Sequence, residues 1–179
     1  FRRLLFRSRA ELILGLSTQM AALVFLAQVT PICIWVVYTD LKYMKIRNSA
    51  VLALLAVFAL AGPFLLPLDV WAWRWSHFAV VLAVGFVLNM IAHFGAGDAK
   101  FAAAAAPFFA CEPGDITVIV MLLSAFLLGA FATHRIARTI PALRTMAPDW
   151  VSWTRKDFPM GLALVGTLWT YLLIVALAA

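Results

Sequence analysis

Long apolar runs, separated by short basic or glycine-containing connections, constrain this chain more than any other feature. A helix that crosses a bilayer needs about twenty mostly apolar residues, because lipid offers no partner to an unsatisfied backbone group. Segments 20–39, 49–68, 76–94, 116–133 and 160–178 read as such helices. Pro63 is expected to kink the second near its end. Hydrophobic residues make up 65% of the chain and charged residues 12%. A soluble domain of this size needs far more charge to cover its surface. The fold class is therefore all-α: a polytopic membrane bundle of about six transmembrane helices.

The fourth helix is the awkward one. Segment 99–111 is too short to cross a hydrocarbon core of about 30 Å. Parity argues that it crosses all the same. With it, Lys42, Lys45, Arg47, Lys100, Arg135, Arg138, Arg144, Arg155 and Lys156 fall on one side, and Arg74 falls on the other. That crowding marks the cytoplasmic side. The glycine turn before Asp98 is then expected slightly inside the membrane boundary, surrounded by protein or a water-filled cleft. Trp71, Trp73 and Trp75 are expected in the opposite loop as interfacial anchors. Residues 134–159, with Trp150 and Trp153, are expected as a cytoplasmic loop with a short stretch lying in the interface. The alanine run 102–106 reads as close helix packing.

Arg2, Arg3, Arg7 and Arg9 would sit on the wrong side in this topology. The tail 1–19 either folds back or is an extension upstream of the native start, and the second is preferred. That leaves 20–179 as one membrane-embedded domain. Cys33 and Cys111 form no CxxC and read as small buried hydrophobes. The net charge of +6 reflects basic loops against an anionic leaflet rather than a nucleic-acid surface, for which no soluble stretch is long enough. No His, Cys and carboxylate set has metal-ligand spacing.

Of the eight acidic residues, Glu11 lies in the tail. Asp69, Glu112 and Asp115 are expected on the far side, and Asp149 and Asp157 in the long loop. Asp40, ending the first helix, and Asp98, opening the fourth, remain as carboxylates at helix ends on one membrane face. An ionisable residue there is a functional candidate. Singly, each is as well explained as a helix cap or a lysine partner. As a pair they can share one proton across a water, one acting as base and the other polarising a carbonyl. The helix dipoles favour Asp98 as the carboxylate and Asp40 as the acid. Gly95 and Gly97 permit close backbone approach or positive φ beside Asp98. Lys100 either holds the pair electrostatically or snorkels to headgroups. Asn89 and His93, one turn apart, either orient an aspartate or bond a neighbouring helix. His77 and His134 fall at interfaces and receive no role.

Asp40-Leu41-Lys42-Tyr43-Met44-Lys45-Ile46-Arg47-Asn48 resembles the first signature of type IV prepilin peptidases, an aspartate followed by basic residues and Ile-Pro-Asn. Gly95-Ala96-Gly97-Asp98-Ala99-Lys100 resembles their second, GxGDxK. Pro159-Met160-Gly161 resembles a weaker third element before the last helix. Arg47 departs from the family's proline, which loosens the expected turn and puts substrate preference in question. The resemblance implies Asp40 and Asp98 as the catalytic pair, with Gly95, Gly97, Lys100 and Asn48 supporting the site. It implies no cofactor, a location in the bacterial inner membrane, and a site facing the cytoplasm. Its substrate would be a prepilin or pseudopilin, cut after a glycine that ends a basic leader. The chain has no methyltransferase insert with paired CxxC motifs, and so is similar to the short peptidase-only form of tight-adherence (Flp) pili. Two other readings stay open: a non-catalytic membrane scaffold or transporter subunit, and a presenilin-like GxGD protease.

Overall fold

The computed structural model describes residues 16–92 and 95–178. Residues 1–15, most of the expected extension, lie outside the described residues, as does His93. Among the described residues the fold is helical throughout. Its α-helices are α1 (Thr18–Tyr43), α2 (Asn48–Leu65), α3 (Leu68–Ala92), α4 (Ala96–Ala105), α5 (Pro113–Ala137), α6 (Pro141–Met146) and α7 (Gly161–Leu177). Four of them, α1, α2, α3 and α5, are long and apolar enough to cross a membrane. The 17-residue apolar α7 sits at the lower limit for a span.

Each boundary has a local cause. Ser17 caps α1, its Oγ accepting the Met20 N–H at 3.3 Å. Met44 ends α1 in the left-handed region, φ 53°, donating its N–H to the Asp40 carbonyl. At α5, Glu112 and Asp115 form a reciprocal capping box around Pro113, which satisfies two orphan donors of the first turn.

The core lies where α1, α2, α4 and α7 meet. Phe25, Phe58 and Phe108 close on one another with ring centroids 5.2–6.1 Å apart. Val29, Val36, Leu54, Phe101 and Leu168 are fully buried beside them. Ala103 and Ala104 are also wholly enclosed, which bears out the alanine run as close packing. The lipid-facing rim carries exposed Leu60, Phe86, Ile91 and Leu128.

Two expectations are corrected. The tryptophans do not lie in a loop: α3 begins at Leu68, so Trp71, Trp73 and Trp75 form its first turns. Trp71 donates its indole N–H to the Phe58 carbonyl at 3.2 Å and fills the notch left by Gly62. Trp73 alone points outward, 70% exposed. The loop 134–159 is also more ordered than expected. Arg135 and Arg138 donate to the Lys156 and Arg155 carbonyls at 2.6 and 3.0 Å. They fold the loop back over the end of α5. The 3₁₀ turn Val151–Trp153 packs on α1.

The short fourth segment is the fold's unusual part. α4 and the 3₁₀ turn Ala106–Phe108 together span only about 20 Å. The chain then runs irregularly to α5, and inside a bilayer such backbone is tolerated only if protein satisfies it. Tyr171 does much of this. Its hydroxyl accepts the Ala110 N–H at 3.1 Å and donates to Asp115 at 3.0 Å. Asp115, 4% exposed, also accepts the Glu112 N–H at 3.2 Å. Arg74 donates to the Phe108 carbonyl at 3.5 Å. The acidic and basic residues assigned to the far side thus include a buried network that stitches the half-span to α3 and α7.

Candidate active site

One end of the bundle gathers the C-terminal ends of α1 and α5 with the N-terminal ends of α2, α4 and α7. Asp40 stands one turn before the end of α1 and is 5% exposed. The Gly161 N–H, at the start of α7, donates to its Oδ2 at 2.7 Å. Asp98 is the third residue of α4 and half-buried, and the charge of Asp40 acts on it. The two aspartates singled out by position along the chain therefore stand at the same end of the bundle, though 58 residues apart.

Glycines hold this arrangement by being small. A Cβ on Gly161 would lie 2.8 Å from Asp40 Oδ2 and 3.2 Å from Asp40 Cβ. A Cβ on Gly95 would collide with Asp98 Oδ2. A Cβ on Gly97 would meet Ile46, in the α1–α2 connection, at 3.4 Å. None of the three uses a left-handed backbone: Gly95 has φ −57°, and Gly97 and Gly161 are helical. The expected role of the GxG pair narrows to close approach.

The supporting residues sort differently from expectation. Lys100 does not contact the carboxylates. Its Nζ donates to Asn48 Oδ1 at 3.3 Å, tying the start of α4 to the start of α2. Lys42 turns outward, bonding Tyr38 Oη at 3.1 Å and lying over the Tyr43 ring. The division of acid and base by helix dipoles also loses its basis. Asp40 ends α1, but it faces the N-terminus of α7, so both carboxylates meet a helix N-terminus. Asn89 lies in the last turns of α3. No group of three or more potential metal ligands occurs among the described residues.

Two residues of this end of the molecule have a place in the site that the sequence reading does not give them. Gly161 was visible only as a fragment of a weak motif, and its contact with Asp40 spans 121 positions. His134, left without a role, is 4% exposed, with neither ring nitrogen hydrogen-bonded.

Arg47 does not loosen the turn. It has φ −75° and ψ 138°, values that proline also adopts, and its guanidinium lies over the Tyr43 ring. Its N–H is not among the turn's backbone hydrogen bonds, which run to the Arg47 carbonyl from Ala50 and Val51. Arg47→Pro is expected to stabilise the protein by about 0.4–1 kcal/mol through a stiffer unfolded chain. A raised thermal unfolding midpoint checks this, and a lowered one counts against the geometry.

The known proteins complete the picture. No curated protein and no solved structure matches the chain. The model of the type IV leader peptidase family matches residues 27–133, more than half of the sequence and a stretch that contains both Asp40 and Asp98. The chain is a helical, multi-pass membrane protein that belongs to the type IV leader peptidase family.

Proposed function

We propose that this peptidase is an aspartic endopeptidase of the inner membrane that removes leaders from Flp-type prepilins or pseudopilins, cutting after glycine at the cytoplasmic face. The observation that carries the reading is the meeting of Asp40 and Asp98 at the bundle end that also gathers most of the basic residues. In this reading the two carboxylates come within reach of one water, where they do not ionise independently, and one proton is shared. The ionised member takes a proton from a water whose oxygen attacks the carbonyl carbon of the glycine. The protonated member donates to the carbonyl oxygen, giving a tetrahedral gem-diol. Collapse breaks the C–N bond, the leaving nitrogen takes a proton, and the pair returns to its single shared proton.

The substrate follows from the site's place. A basic leader stays at the cytoplasmic surface while the apolar helix after it lies in the bilayer. The bond between them falls at the interface, where the aspartates stand. The basic loops repel rather than attract such a leader, which leaves recognition to helix packing and to the small glycine.

The test is incubation of the full chain in lipid with a precursor made of a basic leader, glycine and an apolar helix, with the products mapped by mass. Cutting after the glycine, with no methyl group added to the new N-terminus, is the expected result. An intact precursor overturns the reading in favour of a non-catalytic scaffold or transporter subunit. Cutting within the apolar helix favours a presenilin-like protease.

A further inference from the structure

Beside the aspartates lies a cavity of about 560 Å³. Leu41 and Leu162, the residues directly after Asp40 and Gly161, form its inner wall, and Trp150 and Trp153 roof it. Its α5 wall carries the small residues Ala125, Gly129, Ala130, Thr133 and Ala137, with Phe126 beside them. The stripe runs about 18 Å along the helix, from the level of the aspartates into the bundle. A Cβ on Gly129 would meet no atom within 4 Å, so the notch there is not filled by the fold itself.

Into this apolar groove faces His134, buried yet without a hydrogen bond on either nitrogen. Its ring stacks on Trp153 at 5.6 Å, interplanar angle 8°, which fixes its plane. A buried polar group without a partner is costly, and native structures rarely keep one without a use. Neutral imidazole offers one donor and one acceptor. That pair suits a chain passing from extended to helical: the extended part has unpaired carbonyls, and the first helical turn has unpaired N–H groups. Small residues at helical spacing admit another helix's backbone, whereas an acyl chain has no backbone to bring close.

We propose that this groove receives the apolar helix of the precursor just after the cut, with His134 as the positioning residue at its first turn; this rests on the peptidase reading above. The geometry delivers the scissile bond to Asp40, because the groove's inner wall is continuous with the aspartate's own backbone.

The test uses the full chain in phosphatidylcholine–phosphatidylglycerol nanodiscs with the same precursor. Gly129→Leu extends a side chain into the notch from a Cβ position that meets no atom within 4 Å. It is expected to raise KM roughly tenfold with kcat within about twofold of wild type and the unfolding midpoint unchanged. His134→Phe keeps the stacked ring, loses both nitrogens, and is expected to raise KM roughly three- to tenfold. A photo-crosslinking residue at position 130 is expected to label the precursor's helix. Wild-type KM in both variants overturns the proposal while leaving the peptidase intact. Labelling of lipid alone, or of a second copy of the chain, overturns it too. If wild type leaves the precursor uncut, the peptidase reading fails, and the crosslink still decides whether the groove binds a helix.

Discussion

Replacing Asp98 with asparagine is expected to lower the cleavage rate by roughly 10²–10⁴-fold, the range for loss of a positioned acid–base group, while leaving the protein folded. Asparagine has the size of aspartate but cannot exchange a proton at physiological pH. Asp98 is half-buried and its carboxylate leans on Gly95, so the amide fits the same space. Asp40→Asn is expected to lose as much, because the pair acts through one shared proton. Its amide oxygen still accepts the Gly161 N–H seen at 2.7 Å, which keeps α7 docked. The double variant is expected to be no worse than either single one, since residues that act as a unit are not additive. Initial rates on the glycine-ended precursor, with unfolding midpoints alongside, decide the matter. A fully active single variant would sink the two-aspartate mechanism.

Adding one methyl group at Gly161 is expected to cost roughly 10²-fold in kcat, because displacement of a reacting group by about 1 Å has that effect. The new Cβ would stand 2.8 Å from Asp40 Oδ2, and neither partner yields easily. The neighbouring Cβ of Asp40, 3.2 Å away, belongs to the rigid part of its residue. Asp40 must therefore move away from α7 and out of line with Asp98. Gly95→Ala does the same to Asp98 from the other side and is expected to behave alike. Gly114→Ala is the control, since a Cβ there meets nothing within 4 Å, and it is expected to retain wild-type kcat. Equal activity in all three variants would show that the carboxylates tolerate displacement and that the glycines serve only packing.

Much of this architecture was legible from hydropathy and charge. The four long helices declare themselves by apolar length, and the basic residues of the α1–α2 connection and of the α5–α7 loop sort to the end where Asp40 and Asp98 meet. The aspartates stand out in the sequence as candidates because few carboxylates lie at helix ends on one face, a pattern that needs no knowledge of contacts. What stayed hidden depends on contacts. The start of α3 was misplaced because Trp71, Trp73 and Trp75 read as interface punctuation, while the bundle uses Trp71 to fill the notch at Gly62. Of Lys100 the sequence offers two readings, a partner of the carboxylates or a snorkelling cation, and its side chain instead reaches Asn48, which no spacing rule foretells. Gly161 could not be ranked because its role is a distance to a residue 121 positions away. His134 has no role in the sequence reading because a histidine near a helix end is ordinarily wet, whereas in the fold its ring is stacked on Trp153 and buried.

The shortness of α4 bears on how the molecule comes into being. A ten-residue helix carrying Asp98 and Lys100 is a poor substrate for the machinery that releases spans into lipid one at a time, since that step rewards long apolar length. Its burial among α2, α3 and α7 supplies what its own sequence lacks, so it settles only after those neighbours surround it. Asp98 then takes its place at the Asp40 end of the bundle only with those neighbours present, and Gly161, opening α7, closes on Asp40. A nascent chain still emerging from the ribosome would hold one aspartate without its mate.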